Sequence, residues 1–279
     1  MFAVLAFEII PEPSWRQRLA ESLKRRSRII INPQRRWGLK ALQVHITFTC
    51  RQPSQARQQL VRQALAHIAE RHVTYVLLPN ACEYSNLLHE YGLRQPDIRT
   101  LLPSMAAKLL FHIAEQRDVQ LNERNAVVIA PRLNNQAIAA ARTVCRHVKT
   151  FTLSGGIDTE LMARQLRHDY GISVLEQSVT DCRADTDIFL LFDAPPQAVP
   201  LQPRPGNIVL ELGSGWDIKV VESVIHIDDA RYHIPQDMLR DKPPGVSKQR
   251  ALALLVEAGL YTVENLQIKS LLSCEKKIG

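Results

Sequence analysis

From Asn122 to Leu212 short apolar runs alternate with amphipathic stretches, at a spacing that permits few architectures. Residues 126–130, 148–153, 172–176, 187–192 and 207–212 are strand-length and largely apolar, while a stretch reaching to about His147 and another over 159–170 carry apolar residues at helical spacing. Strands joined by crossovers of this length pair in parallel, with right-handed connections and both sheet faces covered. The expected fold class is α/β, with an N-terminal α/β part followed by a doubly wound, mostly parallel sheet. Residues 220–227 are expected to add an edge strand.

The N-terminal part mixes the same elements less regularly. Residues 2–10 and 28–32 read as strands, with a helix over 14–26 capped by Ser14 between them. A turn through Pro33 and Gly38 leads to 42–49, where Leu42, Val44, Ile46 and Phe48 alternate with Gln43, His45 and Thr47, the period-two pattern of a strand with one wet face. A helix over 54–70, a buried strand over 73–78 and helices over 82–91 and 104–116 follow, the last with Ser104 as its expected N-cap. Helices over 247–258 and 263–272 are expected to pack back onto the first part. The domains so read are 1–121, 122–245 and 246–279.

Composition narrows the function classes. Cys50, Cys82, Cys145, Cys182 and Cys274 are far apart and form no CxxC pair, which points to a reducing compartment, a cytoplasmic location and no zinc knuckle. The apolar start is broken by Glu8 and stops at Pro11, so it reads as a strand and not as a signal peptide or membrane span. Net charge is +7, and nine Lys or Arg against three acids within the first 40 residues account for six of it. This basic stretch is either a solvated helix face or a surface for nucleic acid or an acidic partner.

The segment 126–146, AVVIAPRLNNQAIAAARTVCR, runs from strand into helix through a turn without glycine. On its strand–turn–helix build the chain resembles the Rossmann-type nucleotide-binding superfamily over residues 122–227. Its order of parts is also similar to that of the shikimate dehydrogenase and methylenetetrahydrofolate dehydrogenase group. The resemblance implies a ligand crevice at the carboxyl ends of the strands, and NAD(P) as the cofactor of a family member. The family's glycine fingerprint aligns with Ala130-Pro131-Arg132-Leu133-Asn134-Asn135 and fails at every glycine; Ser154-Gly155-Gly156 stands where an acid or arginine would meet the adenosine ribose. The proton-transfer lysine motif of the shikimate enzymes has no counterpart in the first part.

The crevice-lining candidates are Arg132, Asn134 and Asn135 on the first turn, Ser154 and Gly155 after the second strand, Asp193 after the fourth, and Gly213, Ser214 and Gly215 after the fifth. Arg132 and Asn134 beside a helix N-terminus suit a phosphate or carboxylate; equally, Asn134 serves as a helix cap and Arg132 is solvated. The run NIVLELGSGWD over 207–217 resembles the first motif of S-adenosylmethionine methyltransferases, yet the residues between Trp216 and Val220 leave no room for that unit's helix, so Gly213 and Gly215 read as a tight turn. His226 and Asp228 share a strand face without a third metal ligand, and no catalytic set is recognisable. Function is therefore read as binding of a small anionic ligand in a regulatory or non-classical role. The alternatives are an NAD(P)-dependent oxidoreductase with an unusual cofactor turn, and nucleic-acid or acidic-partner binding through the basic stretch.

Overall fold

The computed structural model describes residues 1–10, 28–80, 82–156, 158–177, 185–194, 200–272 and 277–278. In chain order the first elements are strands β1 (Phe2–Ile10), β2 (Arg28–Arg36) and β3 (Leu39–Thr49), helix α1 (Ser54–Ala69) and strand β4 (Tyr75–Leu77). Next come α2 (Leu102–Arg117), β5 (Asn125–Ala130), α3 (Asn135–Val144), β6 (Thr150–Gly155), α4 (Asp158–Tyr170), β7 (Val174–Glu176), β8 (Ile188–Leu191) and β9 (Ile208–Glu211). The remaining elements are β10 (Ile225–Ile227), β11 (Asp229–Tyr232), α5 (Gln236–Arg240), α6 (Lys248–Glu257), β12 (Ile268–Leu272) and β13 (Lys277–Ile278). Two compact units result, one of Met1–Asp97 with Ile234–Tyr261, the other of Ile98–His233 with Thr262–Gly279.

The first unit is built on a sheet of order β2-β3-β1-β4, in which β1 runs parallel to both β3 and β4, and β2 is antiparallel to β3. The alternation in β3 sets the layering. Leu42, Val44, Ile46 and Phe48 bury themselves against Val61, Ala64, Leu65 and Ile68 of α1, while Phe2, Val4, Ala41 and Leu77 on the other face meet Val246 and, from α6, Leu254. Each such large aliphatic or aromatic side chain contributes about 1.5–3 kcal/mol by leaving water.

Strand β2 runs through Pro33 to Arg36, four residues beyond the expected strand, and the turn is the pair Trp37-Gly38, with φ of 51° and 75°. Two positive φ values in succession match the twist of a two-residue hairpin. A tryptophan is an unusual occupant of the first position, and its indole is held by stacking on Phe2 at 5.8 Å and by donating Nε1–H to the Met238 carbonyl at 3.0 Å.

The second unit holds a six-stranded sheet of order β10-β9-β8-β5-β6-β7, parallel throughout. Numbered from β5, this is the order 3-2-1-4-5-6 of a Rossmann-type sheet, with its switch point between β5 and β8. Helices α3 and α4 make the first two crossovers. The connections from β8 to β9 and from β9 to β10 contain no helix among the described residues, and Leu201, Trp216, Ile218 and Val224 instead cover Val127, Ile129, Phe189, Leu191 and Val209. Five prolines between 194 and 205, each lacking an N–H, account for the missing helix in the first of these connections. At the free edge, the Arg167 guanidinium donates to the Val174 carbonyl and pairs with Glu176, which blunts β7 against further strand pairing.

Two expectations need correction. Residues 263–272 are not a helix: a 3-10 turn over Val263–Asn265 leads into β12, the middle strand of an antiparallel β11-β12-β13 sheet. A ten-residue apolar run is ambiguous between the two periods, and cross-strand pairing with Asp229–Tyr232 decides it. Nor does Ser104 cap α2, which starts at Leu102 with Pro103 in its first turn; the Ser104 Oγ accepts from Gln136 Nε2 at 2.9 Å. The expected helix over 14–26 lies outside the described residues, as do Cys182 and Cys274. Among the described residues no helix is long and apolar enough to cross a membrane.

Candidate ligand site at the carboxyl edge of the parallel sheet

Ligands of open parallel sheets bind beyond the carboxyl ends of the strands where the strand order reverses. In the second unit that edge carries every sequence-predicted site residue, and the structure gathers them into two groups. The first consists of the β5–α3 turn and the end of β6. Asn134, in extended conformation, caps α3: its Oδ1 accepts from the Ala137 N–H at 2.8 Å. Its own N–H donates to the Arg132 carbonyl at 3.0 Å, which folds the turn back on itself. Arg132 and Asn135 are exposed.

Directly beside this turn, β6 ends in Ser154 and Gly155, which pair with Ile129 and Ala130. A β-carbon on Gly155 would lie 2.2 Å from the Ala130 carbonyl oxygen, and one on Gly156 would lie 2.7 Å from that of Pro131. Here only glycine permits the approach of one loop to the other. Ser154 is 1% exposed, and its Oγ has no hydrogen-bond partner. A buried polar atom left in this state costs roughly 1–3 kcal/mol.

The second group joins the ends of β8 and β9. Asp193 Oδ1 accepts from the Ser214 N–H at 3.4 Å, and Ser214 returns its carbonyl to the Ala194 N–H at 3.0 Å. Gly213 fits against the Asp193 backbone, where a β-carbon would meet the Asp193 nitrogen at 2.5 Å. Trp216 Nε1–H donates to the Phe192 carbonyl, and Gly215 takes a positive φ of 86° in the same loop. The two groups meet along the switch point, where the Phe192 N–H donates to Ile129 O at 2.9 Å.

Glu211 and His226 form a pair that the sequence alone did not reveal. The register places Ser154, Ile129, Leu191 and Glu211 in one row across the sheet, on the face lined by the apolar cluster. At the end of that row Glu211 Oε2 lies 3.0 Å from His226 Nε2, with the imidazole 7% exposed. His226 thus turns to a residue fifteen positions earlier, and not to the neighbouring Asp228. Of the basic stretch, Arg16, Arg18, Lys24, Arg25 and Arg26 lie outside the described residues. Arg36 donates to the Asp241 carbonyl at 2.9 Å and so helps to fasten the Trp37 hairpin within the first unit.

The strand order and the uniformly parallel pairing define the second unit as a Rossmann-type α/β sheet. No protein-family model matches the sequence, and no curated protein matches it either. Solved structures similar in chain path include a dipicolinate synthase from Bacillus halodurans, 12% identical over 73% of this chain and 68% of that chain, with a TM-score of 0.41. D-lactate dehydrogenase from Escherichia coli is 13% identical over 77% and 76%, with a TM-score of 0.36. Shikimate 5-dehydrogenase from Listeria monocytogenes, in a complex with shikimate and NAD, is 10% identical over 75% and 78%, with a TM-score of 0.28.

Proposed function

We propose that the second unit is a ligand-binding module that holds a small anionic ligand at the carboxyl edge of its sheet, in a regulatory or non-classical role. The observation that carries this reading is the buried, unpartnered hydroxyl of Ser154, one strand from the switch point. Buried hydroxyls are as a rule hydrogen-bonded, and a polar ligand atom beside β6 supplies the missing partner. Arg132, exposed on the adjoining turn, provides the positive charge for a phosphate or carboxylate, aided by the dipole of α3.

A thermal-shift panel of phosphate- and carboxylate-bearing small molecules tests the proposal, because a ligand that binds only the folded state raises the melting temperature by mass action. The expected result is a concentration-dependent rise that disappears in Arg132→Ala and shrinks in Ser154→Ala. A response that survives both substitutions would place the ligand elsewhere. An NAD(P)-dependent oxidoreductase is the second reading, favoured by the 3-2-1-4-5-6 strand order, and NADH and NADPH belong in the same panel.

A further inference from the structure

We infer that the carboxyl edge of this sheet is closed to a dinucleotide by its own backbone, and that the ligand of the proposed site is a single-headed anion such as a monophosphate or a carboxylate. The inference rests on the reading of that edge as a ligand site. Sheets of this order hold the pyrophosphate of a dinucleotide on N–H groups of the first turn and the following helix, with the ribose beside the end of the second strand. The residues present fail that fit on three counts.

The first count is the supply of donors. Pro131 has no N–H, the Asn134 N–H is spent on the Arg132 carbonyl, and the Ala137 N–H is spent on the Asn134 side chain. Secondly, acceptors stand in the way. The carbonyl oxygens of Ala130 and Pro131 press against Gly155 and Gly156, in the space beside β6 that a ribose would take, and carbonyl oxygens repel phosphate. Thirdly, β6 ends in Ser154-Gly155-Gly156, which offers the ribose hydroxyls no carboxylate and a ribose phosphate no guanidinium.

The glycines at the end of β6 are therefore filled by protein and do not form an empty cradle. In a Rossmann fingerprint the glycines lie in the first turn, so that its backbone can approach the ligand; in this chain they lie on β6, so that its backbone can approach the turn. What stays open to solvent is the side chains of Arg132 and Asn135. A guanidinium fork and one amide suffice for a single charged head.

The test uses the full chain and a variant carrying Ala130→Gly, Arg132→Gly and Asn135→Gly, which restores the glycine pattern. NADH, NADPH and inorganic phosphate are titrated into both, with NADH fluorescence and melting temperature as readouts. Expected are no response of either protein to millimolar dinucleotide, and a rise in melting temperature with phosphate in the natural sequence that the variant loses. Dinucleotide binding by the natural sequence overturns the inference while leaving an edge ligand site standing. Binding gained by the variant also overturns it, because side chains and not backbone packing would then have been the barrier. Silence toward phosphate as well as dinucleotides refutes both the anion assigned here and the proposed site. Should circular dichroism show the triple variant unfolded, Arg132→Gly alone is read by the same outcomes.

Discussion

Glu211 Oε2 and His226 Nε2 lie 3.0 Å apart across β9 and β10, and the pair fastens a three-residue edge strand to the parallel sheet. Removing one partner strands the other in an apolar setting. Glu211→Leu is thus expected to cost about 1–3 kcal/mol. Glu211→Leu with His226→Phe should recover part of that loss, since two apolar groups leave nothing unpaired. Urea melts of the natural sequence, both single variants and the double variant give the coupling energy directly. Strictly additive losses would mean that the two groups do not act as a pair.

Substitution of Gly155 by alanine forces a methyl group to within 2.2 Å of the Ala130 oxygen, so the two loops must separate. A loss of roughly 1–3 kcal/mol is expected, as for other overpacked sites. Gly206 provides the control for glycine chemistry as such: a β-carbon there meets nothing within 4 Å, although its φ of 86° adds a strain of its own. If Gly155→Ala melts at the same temperature as the natural sequence, the edge is looser than its geometry implies.

Asn134→Ala removes the cap of α3 and should destabilise the protein by about 1 kcal/mol, whereas Asn134→Asp keeps an acceptor and should cost less. Chemical denaturation of the three proteins ranks them. Equal loss in both variants would show that the amide group, and not the cap oxygen, is what the turn needs.

Burial pushes the Cys145 thiol up to about 11, whereas Cys50 is exposed. Iodoacetamide at pH 8 followed by peptide mass analysis should find Cys50 alkylated and Cys145 protected until the protein is denatured. The sign of the linked pH effect follows from the raised folded value. The contribution of Cys145 to stability is complete below the unfolded thiol range, roughly 8.5, and is lost as pH rises through about 11. Cys145→Ala should flatten that alkaline decline, and an unchanged slope would assign it to other groups.

The strands of both units were legible because their apolar alternation or continuity is local, as in Leu42, Val44, Ile46 and Phe48 of β3. Asn134 was legible as a cap for the same reason, since a side chain three residues before its target needs no tertiary information. The fit of Gly155 against Ala130 and the meeting of Glu211 with His226 were not legible. Each depends on the register between strands fifteen to twenty-five residues apart, which no window of sequence displays. The strand at Ile268–Leu272 escaped likewise, because its partner lies some forty residues earlier in β11.

The interleaving of the two units bears on how the chain is made. Residues 234–261, which supply Val246 and Leu254 to the first sheet and Met238 to the Trp37 turn, leave the ribosome only after the six strands of the second unit. The first unit therefore spends most of synthesis with Phe2, Val4, Ala41 and Leu77 lacking part of their cover. Nascent protein stalled before Ile234 should expose that surface to chaperones, and a single cut of the gene cannot release either unit as one continuous piece.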